Sequence, residues 1–106
     1  MWIKICGIRD VESASKIAAL KPDAIGLNFF AKSPRSVDAE TAARISEVLP
    51  ASIERIGLFV NHSVRDILDI CQQCSLGTAQ LHGDEVPEFL AELQSANPDL
   101  KLLRAF

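Results

Sequence analysis

The sequence has no surplus of charge of either sign, with 11 Lys and Arg against 14 Asp and Glu for a net charge of -3. The basic patch that nucleic acid or an anionic membrane requires is therefore missing, and a small neutral-to-acidic molecule is the expected partner. Cysteine is scarce and odd in number, since Cys6, Cys71 and Cys74 lack the even count and spacing of a secreted disulfide scaffold. The first dozen residues already hold Lys4, Arg9, Asp10 and Glu12, which leaves no room for the apolar core of a secretory signal. No uncharged run approaches the roughly 20 apolar residues that cross a bilayer. Together these absences set the expectation of a cytoplasmic protein with reduced thiols and no membrane partner. Glycine is also sparse, and Cys6-Gly7-Ile8-Arg9 offers a single one where a dinucleotide-binding turn needs three. Linkers and low-complexity segments are absent too, so residues 1–106 read as one domain.

What is present is a repeat of short apolar runs followed by segments of helical period. Trp2–Cys6 reads as a strand and Asp10–Leu20 as a helix, with Asp10 at the N-cap and Val11, Ala14, Ile17 and Ala18 as the buried stripe. A strand at Ala24–Phe29 leads through the polar loop 31–36 to a helix over Asp38–Leu49, which Pro50 stops. Arg55–Val60 is the third strand. After it, Ser63 caps a helix that places Val64, Ile67, Leu68, Cys71 and Cys74 on one face. Thr78–Leu81 is the fourth strand, followed by a helix with Pro87 in its first turn and Phe89, Leu90 and Leu93 buried. Leu100–Ala105 reads as a fifth strand. Strand-helix repeats of about 22 residues with apolar strands predict an α/β fold, a parallel sheet covered by helices. Periodicity leaves open both a doubly wound sheet and a (β/α)8 barrel.

Five local motifs, in order along the whole chain, carry a resemblance. They are Lys4-Ile5-Cys6-Gly7-Ile8, Asp23-Ala24-Ile25-Gly26-Leu27, Lys32-Ser33-Pro34-Arg35-Ser36, Gly57-Leu58-Phe59-Val60-Asn61 and Gln80-Leu81-His82-Gly83-Asp84-Glu85. The chain resembles the N-terminal half of the phosphoribosylanthranilate isomerase family. The resemblance implies a (β/α)8 TIM barrel of which residues 1–106 hold the first four βα units and strand five. It also implies an Amadori rearrangement of N-(5-phosphoribosyl)anthranilate in tryptophan biosynthesis, with a phosphosugar substrate and neither cofactor nor metal. That chemistry needs an acid to protonate the ribose ring oxygen and a base to take the proton from the neighbouring carbon.

Cys6 matches the family's general base. Independently, it ends a strand, the end at which parallel α/β folds bind ligands. Lys4 shares its strand face, and a nearby ammonium favours the thiolate that accepts a proton. Arg35 matches the residue that holds the anthranilate portion, by a two-pronged carboxylate contact or ring stacking. His82 matches a position at the barrel mouth, where it contacts substrate or orients a neighbour, the alternative being a hydrogen-bonded structural histidine. The expected substrate-binding set is thus Arg35, His82 and Lys4, with Asn28 and Asn61 in support. Lys32 reads as solvated, and Asp84 and Glu85 as capping and charging the fourth helix. Cys71-x-x-Cys74 reads as helix core rather than a zinc or redox pair, because no second pair exists and His62 and His82 supply no ligand spacing.

In the family the acid is an aspartate ending strand six, and glycine-containing loops after strands seven and eight grip the phosphate. The resemblance therefore implies that residues 1–106 are inactive alone. The outer strands of a half barrel would expose unpaired edges, so self-association or joining to a C-terminal half is expected. The alternatives are another phosphosugar barrel, such as an epimerase, or a non-catalytic half barrel that serves in assembly.

Overall fold

Three of the four helices begin on a short side chain that satisfies a backbone donor left over by the first turn. In the computed structural model, which describes residues 1–104, Asp10 accepts from the Ser13 N–H at 2.7 Å ahead of α1 (Val11–Ala18). Asp38 accepts from Thr41 at 2.7 Å ahead of α2 (Ala39–Val48), and Ser63 from Asp66 at 3.1 Å ahead of α3 (Val64–Cys74). The backbone donors at Ser13 and Thr41 also hold the Asp10 and Asp38 carboxyls below their ordinary pKa. The fourth helix, α4 (Pro87–Ala96), departs from expectation. Val86 is its N-cap with no side-chain bond, and Pro87 opens the first turn. Neither Asp84 nor Glu85 caps it, because the Glu85 carboxylate is buried and spent on other backbone donors.

The strands are β1 (Lys4–Cys6), β2 (Ala24–Asn28), β3 (Glu54–Phe59), β4 (Thr78–Leu81) and β5 (Lys101–Arg104). They form one parallel sheet in the order β1-β2-β3-β4-β5. That order separates the two candidate architectures. Right-handed crossovers between strands that always add on the same side leave every helix on one face of the sheet. A doubly wound sheet must reverse direction to cover both faces. This chain is singly wound, as in the TIM-barrel family.

Strand boundaries differ from the expected ones by a residue or two. β1 starts at Lys4, not Trp2, because its ladder begins at the Lys4–Ala24 pair and the Ile3 carbonyl already accepts from both Asp23 and Ala24. Trp2 stays 58% exposed. The expected end of the fifth strand at Ala105 lies outside the described residues.

The core lies between sheet and helices. Ile25, Leu27, Phe59, Ala79 and Leu81 point to the helix side and are joined there by Ala14, Ile45, Ile67 and Leu93. The α3 stripe behaves as its spacing predicts, with Ile67, Cys71 and Cys74 buried and Val64 and Leu68 packed beside them. Burial pushes the Cys71 thiol up to about 12, with Cys74 adding to the shift, and Cys74 Sγ donates to the Ala39 carbonyl at 3.3 Å. These thiols pack as core. Among the described residues no group of three or more His, Cys, Asp or Glu gathers to hold a metal, and no helix is long and apolar enough to cross a membrane.

Candidate active site

Side chains alternate across a strand, so the residues between the core positions face the opposite, concave side. At the C-terminal ends of the strands that side forms a hollow of about 210 Å³. Lys4, Cys6, Arg35, Gln80 and His82 line it, over a floor that includes Gly26 and Ile56. All four residues of the expected site therefore meet at one place, although they come from two strands and a loop. Lys4 and Cys6 are on β1, Arg35 is in the β2–α2 loop, and His82 follows β4.

Two glycines make the convergence possible. A Cβ on Gly26 would stand 3.1 Å from Cys6 Sγ and 3.2 Å from Lys4 Cε, so the thiol and the lysine stem both lie over bare backbone. Gly7 adopts φ +80°, which a side chain would oppose, and the Arg35 stem packs at 3.1 Å from where its Cβ would be. Arg35 thereby lies across the end of β1, next to Cys6. Arg9 donates to the Pro34 carbonyl at 2.8 Å and ties the same loop down.

Lys4 reaches furthest. Its Nζ donates to Gln80 Oε1. Flat neighbouring strands are about 4.8 Å apart, so β1 and β4 would be about 14 Å apart in an uncurled sheet. The contact across β2 and β3 follows from a sheet that curls around its concave side. Cys6 is exposed at the hollow, in contrast to the buried Cys71 and Cys74. The His82 N–H donates to the Phe59 carbonyl at 2.9 Å, while its imidazole is exposed at the rim with no hydrogen bond among the described residues.

The two supporting asparagines act on loops. Asn28 accepts from the Phe30 N–H at 2.8 Å and donates to Ser33 Oγ at 3.3 Å, shaping the segment that delivers Arg35. Asn61 accepts from the Asp84 N–H at 2.9 Å. Two contributions were not singled out from the sequence, Gly26 and Gln80, and two residues have roles other than those weighed there, Glu85 and His62. Parity alone points to the first two, since Gly26 is two residues before Asn28 and Gln80 two before His82. His62 is structural. Its Nδ1 accepts from the Val60 N–H at 3.1 Å and its Nε2 lies 3.2 Å from the Phe29 carbonyl, which defines the Nε2–H tautomer. Its ring also stands edge-on to Phe59.

A larger hollow of about 520 Å³ opens at the opposite rim, among Ser46, Leu49, Glu54, Arg55 and Gly77. Size does not make it the site. It lies at the N-terminal ends of β3 and β4, and the guanidinium there is already committed to backbone carbonyls of the same chain. In singly wound parallel folds that rim serves stability and the other serves chemistry.

A singly wound parallel sheet with a thiol-lined hollow at its C-terminal rim is the arrangement of a TIM-barrel-type α/β protein. Residues 3–105 match the family described as N-(5'-phosphoribosyl)anthranilate (PRA) isomerase. The enzyme of that name from Acidithiobacillus ferrooxidans is 44% identical over 102 residues, which are 96% of this chain and 49% of that protein. A crystal structure of phosphoribosyl anthranilate isomerase from Thermus thermophilus superposes with a TM-score of 0.89 at 34% identity, over 100% of this chain and 52% of that one. A phosphoribosyl anthranilate isomerase in complex with reduced 1-(o-carboxyphenylamino)-1-deoxyribulose 5-phosphate gives a TM-score of 0.87 at 34% identity, over 98% of this chain and 52% of that one. The chain belongs to the N-(5'-phosphoribosyl)anthranilate isomerase family. It spans about half the length of the relatives it matches.

Proposed function

We propose that this chain is the base-bearing half of a phosphoribosylanthranilate isomerase, a single (β/α)8 barrel domain of which residues 1–106 supply four βα units and a fifth strand. The observation that carries the reading is Cys6 Sγ at the end of β1, facing the hollow that Arg35, His82 and Lys4 share. In the rearrangement an acid protonates the furanose ring oxygen, the C1–O bond breaks, and the anthranilate nitrogen lone pair forms the iminium. The Cys6 thiolate then takes the C2 proton, leaving an enol-amine that tautomerises to the ketone, 1-(2-carboxyphenylamino)-1-deoxyribulose 5-phosphate. Arg35 holds the anthranilate carboxylate, and Lys4 and His82 contact the sugar. No cofactor or metal takes part in this scheme. Family membership leaves the epimerase alternative without support.

The acid and the phosphate grip are assigned to a second half. β1 pairs only with β2 and β5 only with β4 among the described residues, so each offers an edge to a C-terminal half or a second copy. Leu103, 45% exposed on the concave side, adds apolar surface for such a contact.

The test follows the substrate's fluorescence with the chain alone, with a C-terminal half added, and with Cys6→Ser in that mixture. Turnover by the mixture that Cys6→Ser abolishes supports the reading. Turnover by the chain alone overturns the assignment of the acid to another half, and turnover indifferent to Cys6→Ser overturns the base. An inert mixture favours a non-catalytic assembly role. Sedimentation as a compact 11.6 kDa monomer would contradict the expected association.

A further inference from the structure

Next to the hollow, two βα loops are held together by a carboxylate for which the isomerase scheme has no task. Glu85 is 5% exposed. Its Oε2 accepts from the Asn61 backbone N–H and its Oε1 from the Gly83 N–H, both at 2.8 Å. The Asn61 side chain answers by accepting from the Asp84 N–H at 2.9 Å. Asn61 has φ 56°, a left-handed conformation that asparagine tolerates better than most residues. The loops touch so closely that a Cβ on Gly83 would stand 2.9 Å from the Asn61 backbone nitrogen and would also meet its Oδ1. His82 immediately precedes this contact. Its imidazole makes no hydrogen bond among the described residues, so its place at the rim is set by backbone alone, by the β4 ladder on one side and by these loop bonds on the other.

We infer that Asn61, Gly83 and Glu85 form a latch that positions the His82 imidazole over the hollow, with Asn61 and Glu85 as positioning residues acting through His82. The inference rests on the isomerase reading only for the identity of the ligand that His82 meets. A carboxylate suits the role because it accepts from two N–H groups at once and binds each more strongly than a neutral acceptor would. Glutamine in its place turns a donor toward one of the two N–H groups and can satisfy only the other.

Two measurements test the latch with Glu85→Gln. In the chain itself, amide exchange and 15N relaxation are compared with the unsubstituted protein. The expected result is faster exchange at Asn61 and Gly83 by about tenfold or more and greater mobility at His82, with α3 amides unchanged. An unchanged His82 overturns the inference. Asn61→Gly, which keeps the left-handed backbone and removes only the side-chain acceptor, is the milder variant should Glu85→Gln fail to fold, and it is expected to loosen Asp84 and His82 in the same direction. In the chain joined with a C-terminal half, Glu85→Gln is expected to lower kcat/KM about tenfold, and Glu85→Gln with His82→Ala to be no worse than His82→Ala alone. Losses that add independently overturn the inference. A wild-type assembly that does not isomerise N-(5-phosphoribosyl)anthranilate overturns the isomerase reading instead, and the relaxation measurement still decides the latch.

Discussion

Replacing Arg55, a half-buried residue of β3, with methionine should cost far more stability than an ordinary surface substitution. All five guanidinium N–H groups are used, and four of the five acceptors are backbone carbonyls. Nε donates to Ser46 Oγ at 3.0 Å, one terminal nitrogen to the Pro50 and Ile53 carbonyls at 2.9 and 2.6 Å, and the other to the Ser46 and Leu49 carbonyls, both at 2.7 Å. Because α2 carries no basic residue in its own last turn, a side chain from β3 satisfies its C-terminal carbonyls and meets the negative end of its dipole. Burial lowers the Arg55 pKa, yet arginine remains charged. Hydrogen bonds to a charged group contribute about 1.5 to 3 kcal/mol each when lost singly, and water reaches some of these carbonyls after truncation. A loss of about 3 to 4 kcal/mol is expected against a total of about 5 to 15 kcal/mol. Urea unfolding followed by circular dichroism should show the midpoint falling by about 2 M at unchanged slope. Arg55→Lys, with three donors, should fall between the two. A change below about 0.5 kcal/mol, the range of ordinary surface substitutions, would refute the reasoning.

Stability should also decline as pH rises above about 9, because Cys71 titrates near 9.0 when unfolded and near 12 when folded. Below 9 both states hold the proton and the stability is fully present, whereas between 9 and 12 only the unfolded state releases it, so unfolding gains. Denaturation midpoints measured across that window should slope downward, and Cys71→Ala should flatten the slope. Gly26→Ala should disturb activity more than folding, since its Cβ would press on Cys6 Sγ and Lys4 Cε at 3.1 and 3.2 Å. About tenfold lower kcat/KM with a nearly unchanged melting temperature is expected, and unchanged kinetics would contradict the close approach.

The order and type of every element could be read from the chain because strand and helix periods differ and the signals are local. Asp10, Asp38 and Ser63 each cap a helix within three residues of themselves, and the stripe from Val64 to Cys74 needs only the helical repeat. The candidate residues Lys4, Cys6, Arg35 and His82 came from strand ends and from the family resemblance, and the curl of the sheet brings them to one hollow. What escaped were side-chain contacts made from one element or loop to another. Arg55 serves a helix from the neighbouring unit, and Glu85 meets Asn61 across 24 residues of sequence. Neither pairing leaves a periodic trace, so Glu85 looked like a helix cap because it precedes Pro87. Doubly and singly wound sheets were likewise indistinguishable until strand order was known, since both repeat the same βα unit.

The isomerase reading turns on the Cys6 sulfur taking a carbon-bound proton. Its most direct test compares binding with turnover in the chain joined to a C-terminal half, using N-(5-phosphoribosyl)anthranilate and a reduced, unreactive product analogue. Cys6→Ser should bind the analogue within about threefold of the unsubstituted protein while kcat falls by about 10² to 10⁴. Turnover by Cys6→Ser at the unsubstituted rate, or loss of turnover matched by an equal loss of binding, would contradict the claim.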